Sequence, residues 1–360
     1  MHSFVIPTVL LASGIVSAAP SAKRDFSPDN VYYPMADGFP NPSQDQVLKI
    51  DIDAHGTLPN GPPPAKLSQE AITSLQLIAL NELFEVAYFT EFAYNISNKV
   101  PGYDLGNSHP YAVDTLNSIV AQEKLHELSA NGALAAFKVP VIQPCKYSFP
   151  VTDFRSAVQL AATFTDLVLG TLQDVAEVLA ESGDTGLVRT IASVIGNEGE
   201  QEGFYRLILS KRPSAKPFLT SATRDFAFSA IKSFVVKDSC PGIDAIHLKT
   251  YLPLNVESSN IKAQTQNIKF SYSKTKEADA YDVKKLKVVY LNGLTQPIVK
   301  ELQNVVVVND KVTFEAAFPY DEFVMDGLTI AAVTFGEDHF DSPRNVSQHA
   351  VFGPGLIQID

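Results

Sequence analysis

Ala121-Gln122-Glu123-Lys124-Leu125-His126 is the stretch on which the reading of this chain turns. On a helix, a Glu and a His three residues apart project from the same face. That face continues the apolar line Leu116, Ile119 and Val120, so it points into a protein interior. A buried ionised group left unpaired is strongly unfavourable, and a metal ion is the usual partner. A lone Glu-x-x-His is common by chance, so its weight depends on its neighbours.

Working outward, apolar residues at spacings of three and four predict helices over 68–94, 110–137, 152–181 and 185–210. A fifth, over 217–235, is expected to pack outside them. Within the first, Asn81-Glu82-Leu83-Phe84-Glu85 sets acids inside an apolar run. Within the fourth, Glu198 of Asn197-Glu198-Gly199-Glu200-Gln201-Glu202 falls on the stripe of Ile191, Val194 and Ile195, while Glu200 reads as solvated. Three of the four helices therefore carry an inward carboxylate at mid-length. Carboxylate metal proteins built on a bundle use one Glu from each of two helices and Glu-x-x-His from each of the other two. Long amphipathic helices with connections of modest length predict an antiparallel four-helix bundle over residues 67–240.

On the N-terminal side, residues 25–66 contain GFPNPSQ and HGTLPNGPPP and read as an extended Pro/Gly-rich arm. The chain opens with an apolar run and the small residues Val16-Ser17-Ala18, which predicts a signal peptide over 1–18. A short propeptide over 19–24 would end at Lys23-Arg24. On the C-terminal side the period changes to two. IKFSYS, KLKVVYL, NVVVVND, KVTFEAAF and LTIAAVTF are strand candidates, and residues 244–360 read as an immunoglobulin-like β-sandwich without a His/Cys ligand cluster.

Composition narrows the functions. The 360 residues carry a formal charge of −12, and loss of Lys23 and Arg24 would deepen it. Such acidity argues against nucleic acid and anionic membrane surfaces as partners. No second apolar stretch reaches membrane-spanning length. Cys145 and Cys240 form an even pair, which suggests one disulfide in an oxidising compartment. Asn95 and Asn345 begin Asn-x-Ser sequons. These features together predict a secreted protein, extracellular or associated with the cell wall. No Gly-x-Ser-x-Gly, P-loop or dinucleotide fingerprint is present.

The chain resembles the fungal secreted ferritin-like domain proteins of stress response and late sexual development. The resemblance lies in the arm (GFPNP, HGTLPNGPPP), the bundle (ALNELFEVAYF, AQEKLHE, IGNEGEQEGFYR) and the terminal VFGPG. It implies an α+β, multidomain fold: an N-terminal ferritin-like four-helix bundle followed by the C-terminal sandwich. Carried over residue by residue, it implies Glu85, Glu123, His126 and Glu198 as metal ligands. Two positions depart from the family pattern: Thr165 stands where the third helix should supply Glu, and Gln201 where the fourth should supply His. Both losses fall on the same one of the two metal positions that this pattern implies. The expectation is one divalent Fe, Mn or Zn ion, or no ion with the Glu and His side chains pairing among themselves. Asp166, Glu82 and Glu202 are the substitutes that a small register change would bring inward for Thr165, Glu85 and Gln201. The implied function is a secreted protein of stress response or sexual development, non-enzymatic, with a cell-wall or protein partner through the β domain. A metal-dependent oxidoreductase of oxidase or catalase type is the alternative, and it is weakened by Thr165 and Gln201 because such chemistry ordinarily uses two metals.

Overall fold

The computed structural model describes residues 26–27 and 30–359. The signal peptide and propeptide expected over 1–24, with Lys23-Arg24, lie outside the described residues. The arm is not extended throughout. After the short antiparallel strands β1 (Phe26–Ser27) and β2 (Asn30–Val31), helix α1 (Gln44–Asp53) forms in its middle. Its start is written locally: the Gln46 side chain accepts from the Ser43 backbone N–H at 2.8 Å, which is half of a capping box. The flanking Pro and Gly residues mask this helix in the sequence.

The bundle consists of α2 (Gln69–Ser97), α3 (His109–Ala136), α4 (Phe154–Glu181) and α5 (Thr185–Ile208). The ends follow from capping chemistry. The Ser68 hydroxyl accepts from the Ala71 N–H at 3.0 Å, and Asp153 accepts from the Ser156 N–H at 2.9 Å. Pro110 sits in the first turn of α3, where its missing N–H has no helical partner to lose. Helix α2 is buried on nearly every side, so it is the bundle's central rod. Phe84, Tyr88, Phe89 and Phe164 pack edge to face around it. A short helix, α6 (Arg224–Lys232), lies outside, and only this part of the expected 217–235 stretch is helical. Cys145 and Cys240 are disulfide-bonded, tying the α3–α4 connection to the segment after α6.

Two four-stranded sheets follow. One has the order β3 (Asn255–Val256), β4 (Gln266–Ser273), β8 (Lys311–Phe318), β7 (Gln303–Val308). The other has the order β10 (Ala350–Ile359), β9 (Gly327–Phe335), β5 (Leu286–Asn292), β6 (Ile298–Glu301). Every pairing is antiparallel. Phe270, Phe314 and Phe318 of the first sheet meet Val288, Tyr290 and Phe352 of the second in a shared core. The second sheet is covered on its other face too. There Val289, Leu291, Ile330 and Ala332 pack with Leu167 of α4 and Phe226 of α6. Strand β9 is consequently buried along nearly its whole length and does not alternate between buried and exposed positions.

Polar contacts cross the same junction. The Thr220 hydroxyl donates to the Leu328 carbonyl, Lys216 to Asn292 at 2.7 Å, and Gln358 to Asp166 at 2.7 Å. Gly170 of α4 is where the backbones come closest: a Cβ there would lie 2.3 Å from the Thr220 carbonyl oxygen. Helix α8 (Pro343–His349) lies beside this junction; the four-residue helix α7 (Tyr320–Phe323) joins β8 to β9. No helix among the described residues is long and apolar enough to cross a membrane.

Candidate metal centre

Three helices bring the site together. Helix α2 supplies Glu82 and Glu85, α3 supplies Glu123 and His126, and α5 supplies Glu198. All four glutamates are fully buried. One ligand atom from each of Glu82, Glu123, His126 and Glu198 lies within 4.8 Å of the other three. The His126 Nδ1 nitrogen faces the carboxylates, 2.8 Å from Glu123 Oε2, 3.5 Å from Glu82 Oε2 and 4.0 Å from Glu198 Oε1. The quartet takes Glu82 from α2; Glu85 lies one turn further along the same buried helix, its Oε1 accepting from the Asn81 amide at 3.0 Å.

Crowding of charge dominates the electrostatics. Burial pushes the Glu82 carboxyl up to about 7, with Glu123 adding to the rise and His126 opposing it. Burial, then Glu123 and Glu82, holds Glu85 well above the usual carboxylate range. Burial, then Glu85, Glu123 and Glu82, does the same to Glu198. For His126 burial works against the charged ring, but Glu123 and Glu82 outweigh it and raise its pKa well above normal. The helices force these groups together, and burial with mutual repulsion favours their protonated forms when no cation is bound.

The donor set fits a divalent ion. Both oxygens of Glu82, both of Glu198 and Oε2 of Glu85 have no hydrogen-bond partner in the protein. An unmet buried acceptor costs about 1–3 kcal/mol, and more when charged. Three carboxylates and one imidazole suit Fe, Mn or Zn.

The substituted positions behave as neutral neighbours. Gln201 donates its amide to Glu123 Oε1 at 2.6 Å, and its Oε1 accepts from the Tyr205 hydroxyl at 3.3 Å. Thr165 is fully buried on α4 with its hydroxyl unpartnered. Asp166 does not turn toward the glutamates; it receives the Gln358 amide from β10. Glu202 is buried close enough to raise Glu198 further.

Residues 71–211 match the family model of the ferritin-like domain. No curated protein matches the chain. The ferritin-like segment begins in the first turn of α2 and ends just past α5, so it encloses every residue of the quartet. Within that ferritin-like segment lie buried and half-buried polar residues to which the sequence pattern assigned no role. Glu127 is fully buried beside His126, its carboxyl pushed up to about 8 by burial, and it receives the Asn131 amide. Its spacing of four from Glu123 was the available signal. Gln122 accepts from the amides of Asn197 at 3.3 Å and Gln201 at 3.2 Å, joining α3 to α5 above the site. Of the sequon residues, Asn95 lies near the end of α2 and Asn345 within α8.

Proposed function

We propose that this protein binds one divalent metal ion between Glu82, Glu123, His126 and Glu198, and that it does so on the secretory route. The observation that carries the first part is the convergence of three buried carboxylates on one imidazole, with no oxygen of Glu82 or Glu198 accepting a hydrogen bond from the protein. A cation there would offset the charge on oxygens that accept no hydrogen bond from the protein. The bound ion would polarise whatever small ligand approached it; the chain's own residues fix its place, with Gln201 steadying Glu123. The Cys145–Cys240 disulfide, the apolar N-terminal run and the acidic composition support the secreted setting. The resemblance to fungal proteins of stress response and sexual development supports a role there, with the bundle as a metal-holding scaffold and no turnover.

A two-ion oxidoreductase is the second reading, and Glu85 favours it. As a fourth buried carboxylate beside Glu123 and Glu198, it brings the negative charge to what two divalent ions would balance. Thr165 and Gln201 weigh against it, because neither is a strong ligand. Metal analysis of purified full-length protein after loading with Fe, Mn or Zn decides between them. One equivalent per chain, lost in Glu123→Ala, is the expected result. Two equivalents would favour the second reading, and no retained ion would sink both.

A further inference from the structure

A cavity of about 580 Å³ opens between α2, α3, α5 and the arm segment 54–59 and reaches the metal centre at one point, His126. Ligand cavities usually fall within roughly 300–1,000 Å³. Of the quartet, only His126 meets this space: its side chain is 15% exposed, whereas Glu82, Glu123 and Glu198 are at 0%. The inner end also carries the Gln122 and Asn197 amides. The walls are mainly apolar, formed by Leu75 and Ile78 of α2, Leu125 of α3 and Leu187, Ile191 and Val194 of α5, with the hydroxyls of Ser129, Thr190 and Ser193 among them. Leu58 and Pro59 of the arm close one side, so the Pro/Gly-rich segment after α1 has a place in the site.

Charge selects the occupant. Of all the lining residues Arg189 is the only Asp, Glu, Lys or Arg, it is exposed, and it has no ion-pair partner among the described residues. It precedes Asn197 by eight residues on α5, roughly 12 Å along the helix axis at 1.5 Å per residue. We propose that the cavity binds an amphiphile with one anionic end group, a medium-chain carboxylate, its head on Arg189 and its chain running along α5 toward His126. A cationic head would find no carboxylate on these walls, and an uncharged one would leave Arg189 unused. What the inner end of the chain meets rests on the metal reading; the binding itself does not.

The test is equilibrium dialysis of decanoate against the full chain, metal-loaded and metal-free, beside decan-1-ol and decylammonium. Decanoate should bind saturably at one per chain, and decylammonium about tenfold or more weaker. Arg189→Ala should bring decanoate down to the level of decanol and leave decanol unchanged. Val194→Phe, which fills the cavity, should abolish both; Leu187→Phe serves the same purpose if that variant fails to fold. Non-saturable uptake, equal binding of the two charged amphiphiles, or indifference to Arg189→Ala would overturn the proposal. Metal content measured on the same samples separates the readings. Saturable decanoate binding without metal leaves the cavity assignment standing alone, and metal without decanoate binding removes only that assignment.

Discussion

Glu82 and Glu85 stand one turn apart on α2, both without solvent contact, and only Glu82 enters the group of side chains within 4.8 Å of one another. Their variants should therefore differ. Glu82→Gln should lose the bound ion, with an affinity drop of about 100-fold or more for losing a ligand. Glu85→Gln should keep one equivalent, because its oxygens stand outside the quartet. Titration with a metal-sensitive dye reads both, and equal losses would contradict the assignment. The sequence pattern named Glu85 as the ligand and Glu82 as its register substitute, whereas the converging group contains Glu82. Helix α2 is buried on nearly every side, so periodicity does not mark which face meets α3. Glu123, His126 and Glu198 were legible because their helices still have polar faces to contrast with the buried one. Glu91, on the same helix, gives a separate pH test. Partial burial pushes its carboxyl up to about 7. The folded state then holds a proton that the unfolded chain has released, so this contribution is full below the unfolded value near 4.5 and is lost as pH rises to 7. Between those limits wild-type stability should fall relative to Glu91→Gln by about 1 kcal/mol after discounting for solvent exposure. Urea titrations at pH 4.5 and 8 check the sign.

At the scale of elements, the helices and central strands were legible because long periodic runs dominate their local surroundings. Helix α1 was not, since its ten residues sit among turn formers and its start depends on Ser43 and Gln46. Strands β3, β6 and β10 also escaped notice, the first two being short and β10 being interrupted by Gly353-Pro354-Gly355. The arm is tied to the bundle by Lys124, which turns away from the carboxylate–histidine cluster to pair with Asp37 at 2.6 Å. Neighbouring positions on α3 thus serve opposite sides of one helix. The close approach at Gly170 yields the prediction that belongs here. Ala is ordinarily the better helix former by about 1 kcal/mol. At this position its Cβ would strike the Thr220 carbonyl, an atom held by backbone. Gly170→Ala should therefore destabilise by about 1–3 kcal/mol in thermal melts, and a stabilised variant would show that the helix and the 220–222 segment can part.

Across the whole molecule, Asp174 of α4 gathers groups from distant stretches. It accepts from the Arg224 backbone N–H at 3.1 Å and pairs with the Arg344 guanidinium of α8 at 2.6 Å, while being only 5% exposed. Asp174→Ala should cost about 1–3 kcal/mol, softened because Arg344 keeps Glu177 and Glu181 and Arg224 keeps Glu70. Its clearer effect should be on cooperativity: near-ultraviolet circular dichroism and far-ultraviolet ellipticity should no longer share one urea transition. The sequence could not foresee this link, because its partners are 170 residues apart. The sheet formed by β10, β9, β5 and β6 has one further consequence, since it is wetted on neither broad face. A gene fragment ending between bundle and sandwich would give two sticky halves, each presenting Leu167 and Phe226, or Val289 and Ile330, to water. Recombination that shuffles domains as interchangeable cassettes has no clean seam here, so bundle and sandwich would have to be inherited together.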